Sequence, residues 1–295
     1  MARKRGGRRA ACSKKSATIN GSTSLTWLAT TMMPPSRGMF SMPRQLRVVN
    51  MRISGFTTTT ARRYQNPRRR RCGTIARMPD VTSHAQPWAV VVPVKRLEVA
   101  KTRLSVRPEL RRELALAMAT DTVLACLHTS GVVEVVVVTD DELAGPAMGA
   151  LGASVIPDEP DAGLNPALVH GRDVVRSRHP QVAVALLSSD LPSLTPEALR
   201  SLLDRAAALE LGCVADAAGT GTTLLSLGAD SSSAPSFGAG SWQRHTDAGA
   251  VDLTAYADPR LRRDVDTTVD LADAMKLGCG AATVTVVAAH PALLQ

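Results

Sequence analysis

Two groups of aspartates lie far apart in the chain and have the right chemistry to act together. Asp264-Val265-Asp266 is a D-x-D pattern. Read as the end of a strand over 261–266, it projects residues i and i+2 to one face, with Cα atoms roughly 6.5–7 Å apart. Both carboxylates can then converge on one metal ion or on a pair of them. The competing reading is a strand-to-helix turn with Asp266 near a helix N-terminus. Asp190 follows the apolar run V-A-V-A-L-L at 182–187 and precedes Leu191-Pro192. It reads either as a strand-end carboxylate completing the cluster or as a solvated turn residue. Oxygen-only ligands suit Mg²⁺ or Mn²⁺, with water and phosphate filling the remaining positions.

Three further stretches could handle anions. Lys95, Lys101 and Arg103 crowd one short segment. There they would neutralise phosphate charge, arginine adding a bidentate fork. No glycine framework surrounds them, so the segment is not a P-loop, and a solvated charged loop is the alternative. Gly219-Thr220-Gly221-Thr222 offers close backbone amides and hydroxyls for an anion, or simply a hairpin turn. Phe237-Gly238-Ala239-Gly240-Ser241 sets glycines ahead of a serine able to cap a short helix, again an anion-binding pattern. His245 reads as a surface residue without a role.

These groups need a scaffold that gathers them. A strand is expected over 89–94, followed by the basic loop 95–103. Pro108-Glu109 opens a helix whose apolar Leu110, Leu114, Met118 and Val123 recur at helical spacing, ending near Gly131. A β-branched run at 132–139, a short helix, a strand over 154–156 and a helix over 164–178 come next. The strand at 182–187 leads to a helix capped by Thr195 with Pro196 at its first position, running to about Leu209. The β-α-β-α-β-α-β-α order implies a three-layer α/β/α sandwich with a mostly parallel central sheet. Ligands of such sheets lie beyond the carboxyl ends of the strands. Strands over 212–217 and 222–227 then flank the Gly-Thr turn, and Thr267-x-x-Asp270 starts a helix to about Leu277. A late strand is expected over 282–288.

Composition narrows the function classes. The 295 residues carry a formal charge of +9, but residues 1–77 hold 18 Lys and Arg and no acidic residue. That leaves 17 basic against 26 acidic residues beyond them, a net −9, so the average describes neither part. The basic part reads as a transit peptide, as an arm for nucleic acid or anionic lipid, or as sequence upstream of a working start at Met78. The division expected is a disordered extension over 1–87 and a catalytic domain over 88–290. Cysteines 12, 72, 126, 213 and 279 form no CxxC or Cys/His cluster, which fits a reducing cytoplasm. No apolar run approaches the ~20 residues of a bilayer span.

Five stretches in order resemble one family: V-P-V-K-x-L-x-x-A-K-T-R-L (92–104), S-D-L-P-S-L (189–194), G-T-G-T-T (219–223), F-G-A-G-S-W-Q-R-H (237–245) and D-V-D-T-x-x-D-L (264–271). They resemble the guanylyltransferases of coenzyme F(420) biosynthesis, which place GMP on 2-phospholactate or, in the actinobacterial branch, on phosphoenolpyruvate. The resemblance implies the nucleotidyltransferase fold of glycosyltransferase-A type, related to molybdenum-cofactor guanylyltransferases. It also implies that Asp190, Asp264 and Asp266 hold a metal ion. Thr222, Gly238 and Ser241 would then hold the phosphorylated three-carbon acid, with Lys95 beside it as a fourth catalytic group. Lys101, Arg103, Gly219, Thr220, Gly221 and Asn165 would face the nucleotide. Ser189, Ala239 and Thr268 stand where the family has Gly, Pro and Pro. The partners implied are GTP and the acid, not nucleic acid or membrane, with a homodimer or a downstream biosynthetic transferase as the protein partner. Two rivals remain: a metal-dependent glycosyltransferase, which also uses D-x-D, and a nucleic-acid-binding protein acting through the basic segment.

Overall fold

The computed structural model describes residues 86–294 apart from 99, 100, 102, 105 and 160, and the expectations for 1–77 lie outside that range. Strand β1 (Trp88–Pro93), W-A-V-V-V-P, is buried along its whole length. A continuous β-branched run of this kind suits a strand covered on both faces. It pairs in parallel with β2 (Val132–Val138) and β4 (Ala183–Leu187), and β2 pairs in parallel with β3 (Ser154–Ile156). β6 (Thr222–Leu227) runs antiparallel to β4 and to β5 (Leu211–Ala215), and the short β7 (Val251–Asp252) is parallel to β5. Among the described residues the sheet order is β3-β2-β1-β4-β6-β5-β7.

Alternate residues of the strands feed two cores. Trp88, Val90 and Val92 pack with helices α1 (Pro108–Leu127), α2 (Ala144–Leu151) and α4 (Pro196–Ala206). Ala89 and Val91 pack with α3 (Leu164–Arg178) on the other side, where Trp242 of α5 (Ser241–Asp247) also lies. This is the expected α/β/α sandwich.

The C-terminal part departs from expectation in two places. The segment 261–266 is not a strand. Asp258 accepts a hydrogen bond from Arg260 N–H, and with Pro259 it starts the single turn α6 (Pro259–Arg262). The D-x-D residues follow in irregular chain outside any ladder, with a bend at Asp266. The β-branched stretch 282–288 is likewise a helix, α8 (Ala281–Ala289), not a strand. Asp121 of α1 explains this: its carboxylate accepts from Ala282 N–H (3.0 Å) and Thr283 N–H (2.8 Å), capping α8 from a neighbouring helix. Helix α7 (Thr268–Leu277) starts as expected, with a capping box between Thr267 and Asp270. α7 and α8 pack against the outer face of α1 in a third apolar cluster that includes Leu114, Met118, Leu271, Val286 and the Val of the D-x-D.

Candidate functional site

A cleft of about 550 Å³ opens at the carboxyl ends of β1 and β4, and its wall takes in Lys95, Lys101, Arg103, Asp190, Asp264 and Asp266. Asp190 lies three residues beyond β4, in a turn set by α1. Thr122, fully buried, accepts from Leu191 N–H (3.1 Å) and donates to Met118 C=O (2.8 Å). Val265 N–H donates to Asp190 C=O (3.1 Å), tying the two aspartate segments together. Val265 itself is fully buried in the third cluster. Asp264 and Asp266, on either side of it, both line the cleft. The convergence expected of a strand is achieved by one backbone bond and one buried valine.

Lys101 lines the cleft and pairs with two of the aspartates. Its ammonium bonds Asp190 Oδ2 and, at 2.8 Å, Asp266 Oδ1, while the exposed Arg103 lies 3.5 Å from Asp266 Oδ2. Burial alone would lower the Lys101 pKa, but Asp190 and Asp266 beside it hold it above the ordinary lysine value. Burial would raise that of Asp266, yet Lys101, Arg103 and Lys95 pull it down. Asp264 is on the far side of this balance: burial, then Asp190, Asp216 and Asp266, push it up to about 7. The expected trio is thus in one cleft with an ammonium at two of its members. A separate triple, Asp140, Asp158 and Asp161, brings its carboxylate oxygens within 4.8 Å of one another on the surface.

The raised Asp264 carboxyl has a sign that can be checked. Between its ordinary value near 3.8 and about 7, the folded protein holds a proton that the unfolded chain has released. Metal-free stability should therefore fall as pH rises through that window, by linkage. Asp264→Asn carries no such proton, so in chelator its melting temperature should fall less than that of the unaltered chain between pH 5 and pH 8. Parallel declines would remove the like-charge crowding described above.

The same cleft is also lined by Thr220, Gly221, Thr222, Gly238 and Ser241. Asp216, at the end of β5, accepts from Thr220 N–H (2.9 Å) and Gly221 N–H (2.7 Å), and so shapes the Gly-Thr turn. Gly219 takes φ 76° in that turn and stays off the cleft wall, so its part is to allow the bend. Thr222 lies within 2.9 Å of His245 Nδ1 and 3.1 Å of Ser241 Oγ. Gly240, not Ser241, caps α5, in the left-handed region at φ 69°. Asn165, expected at the nucleotide, is elsewhere: its amide oxygen accepts from Phe237 N–H (2.7 Å) and its NH₂ donates to Phe237 C=O (3.1 Å). It fixes the 237–241 loop to α3. Arg244 braces the same loop through Ser236 and Ala239.

Sequence reasoning missed Asp216 and His245. Asp216 has a signal: an aspartate entering a Gly-Thr-Gly turn is suited to bonding backbone amides a few residues on. His245 was read as a surface residue, whereas it is 2% exposed. No periodicity in a seven-residue helix marks it as inward.

The family model described as "Guanylyl transferase CofC like" matches residues 88–287. A Thermomonospora curvata protein named phosphoenolpyruvate guanylyltransferase is 48% identical over 206 residues, covering 70% of this chain and 90% of that protein. A Streptomyces coelicolor protein of the same name is 49% identical over 203 residues, covering 68% and 96%. Among solved structures, a Desulfovibrio desulfuricans G20 protein assigned as a nucleotide-diphospho-sugar transferase superposes with a TM-score of 0.56 at 16% identity, over 70% of this chain and 96% of that one. That likeness concerns the fold alone.

Proposed function

The chain belongs to the CofC-like guanylyl transferase family, and from that premise we propose that it transfers GMP from GTP to phosphoenolpyruvate, with release of pyrophosphate, toward coenzyme F(420). The observation that carries this reading is the meeting of two kinds of group in a single cleft. Asp190, Asp264 and Asp266, with Lys95, Lys101 and Arg103, supply carboxylates and cations to its wall, while Thr222, Gly238 and Ser241 supply two hydroxyls and a glycine. A nucleoside triphosphate with a metal ion suits the charged group, and a small phosphorylated acid suits the hydroxyls. The name shared by the two relatives favours phosphoenolpyruvate over 2-phospholactate as that acid.

The reaction asks for position more than for proton transfer. An acceptor phosphate oxygen forms a bond to the α-phosphorus of GTP. The bond from that phosphorus to the bridging oxygen of the β-phosphate breaks, and pyrophosphate leaves with the electron pair. The attacking oxygen is already anionic near neutral pH, so no general base is required. The barrier lies in bringing two phosphates that repel each other into line, which fixed cations offset. Lys95 and Arg103, both exposed at the cleft, can reach incoming phosphates. Thr222 and Ser241 orient the acid.

The donor set also fits a hard divalent cation. Asp190 Oδ1 is buried with no hydrogen-bond partner among the described residues. Asp264 is crowded by three other carboxylates. Mg²⁺, or Mn²⁺ in its place, would be held by Asp190, Asp264 and Asp266, and when bound it supplies positive charge to the carboxylates and phosphoryl oxygens together.

Mass spectrometry tests the reading directly. The full chain is incubated with Mg²⁺, an equimolar mixture of ATP, CTP, GTP and UTP, and both phosphoenolpyruvate and 2-phospholactate. The expected result is one dominant product, a guanosine diphosphate bridge ending on enolpyruvate, with pyrophosphate in equal amount. Absence of pyrophosphate release from GTP would overturn it, and a dominant phospholactate product would reassign the acceptor.

A further inference from the structure

His245 is the buried titratable group that the scheme above leaves idle. Its ring is edge-on to Phe237, with centroids 5.3 Å apart and planes at 70°. Both ring nitrogens are engaged: Nε2 lies 2.9 Å from Ser236 N, and Nδ1 lies 2.9 Å from Thr222 Oγ1. A backbone N–H can only donate, so Nε2 must accept and cannot carry a hydrogen. The hydrogen of the neutral ring is then on Nδ1, which donates to Thr222 Oγ1. An imidazolium would set an N–H against the N–H of Ser236. Burial, and then the neighbouring Arg244, favour the neutral ring as well, lowering its pKa to about 4.

The consequence follows from counting hydrogens. Thr222 and Ser241 together own two hydroxyl hydrogens. One is used in the 3.1 Å bond between the two oxygens. Thr222 Oγ1 already accepts from His245, so the second hydrogen has no acceptor within the group. Both residues, though buried, border the cleft, so a ligand there can supply the acceptor for that hydrogen. We propose that His245 is a positioning residue for the acceptor: by donating from Nδ1 to Thr222, it makes the Thr222–Ser241 hydroxyl pair a one-way donor to an anionic oxygen of the bound acid. This rests on the assignment of Thr222 and Ser241 to the acceptor. With the opposite tautomer the pair would donate into the ring and would have one fewer hydrogen for the ligand.

A purely structural role, fastening Ser236 to α5, makes different demands, and two substitutions separate them. Asn places its amide NH₂ near the position of Nδ1, keeping a donor to Thr222 and losing the bond from Ser236. Gln reaches the position of Nε2 with an oxygen that accepts from Ser236, but gives Thr222 no donor. Steady-state pyrophosphate release is measured with GTP and phosphoenolpyruvate varied in turn. His245→Gln should raise the phosphoenolpyruvate KM about tenfold or more, leaving the GTP KM within twofold, while His245→Asn should stay within threefold for both. Equal effects, or the larger effect in His245→Asn, would overturn the proposal.

Thr222→Val separates this inference from the function it rests on. If that variant leaves the phosphoenolpyruvate KM unchanged, the acceptor assignment fails. If it raises KM and His245→Gln does not, only the role of His245 fails. With both changes together, KM should rise no further than with Thr222→Val alone, because His245 acts through that hydroxyl. Should the Gln variant not fold, ¹⁵N NMR of the histidines in the unaltered full chain gives the same answer, with the His245→Asn spectrum assigning the resonance. A neutral ring protonated at Nδ1 near pH 7 is expected, and protonation at Nε2 overturns the proposal.

Discussion

Asp190→Asn, Asp264→Asn and Asp266→Asn should each lower kcat by a factor on the order of 10²–10³, the scale seen when one pre-placed electrostatic group is removed. Asparagine keeps the volume and removes the charge. The fold should survive, because the backbone bond from Val265 to Asp190 and the buried Val265 side chain do not depend on either carboxylate. The three act as a unit around one charge, so a double variant should lose far less than the product of the single losses. Steady-state kinetics with far-ultraviolet circular dichroism as the fold control decides it. Near-normal turnover in Asp266→Asn, or independent losses in Asp190→Asn with Asp264→Asn, would mean that the aspartates share no catalytic cation.

The second large effect concerns Lys101. Its ammonium is the neighbour of both Asp190 and Asp266, and its side chain is 11% exposed. Removing one partner of a buried ion pair leaves the other charge without compensation, which costs about 3 kcal/mol or more. Asp266 is 44% exposed, which places the expected loss at the lower end. Lys101→Met should therefore lower metal-free stability by about 3 kcal/mol in urea denaturation. Millimolar Mg²⁺ should restore a larger share in the variant than it adds to the unaltered chain, since it binds carboxylates that the lysine no longer contests. An unchanged urea midpoint in chelator would show that Lys101 does not neutralise the aspartates.

The alternating sheet-and-helix half was legible because its signals are local and agree with one another. The strand over 154–156 and the helix over 164–178 have the expected bounds, and the Gly-Thr turn joins the antiparallel pair β5 and β6. The C-terminal part was less legible because tertiary contacts overrule local preference there. Ala281–Ala289 has the β-branched composition of a strand, yet Asp121, 160 residues earlier, caps it as a helix. Around Leu261, the Asp258-Pro259 pair is a local helix start whose signal outweighs the apparent alternation after it. For the site, the residues expected from the motifs and from the family resemblance, all but Gly219 and Asn165, line one cleft. The pairing of Lys101 with two aspartates and the burial of His245 depend on how loops fold back, which no spacing encodes.

The D-x-D is held outside the sheet, and that separates what keeps the chain folded from what keeps it active. Val265 is anchored in a cluster of ten buried apolar residues shared by α1, α7, α8, the loop before α1 and the C-terminal turn Pro291–Leu294. The two larger cores on the faces of the sheet are separate from that cluster. Proteins open in cooperative pieces, the least packed first. Lifting α7 and α8 from α1 would carry Asp264 and Asp266 away from Asp190. Heat inactivation is then expected as a seam opening rather than a melting: turnover should fail below the temperature at which the sheet loses its circular dichroism signal, and a protease should cut first between α6 and the C-terminus.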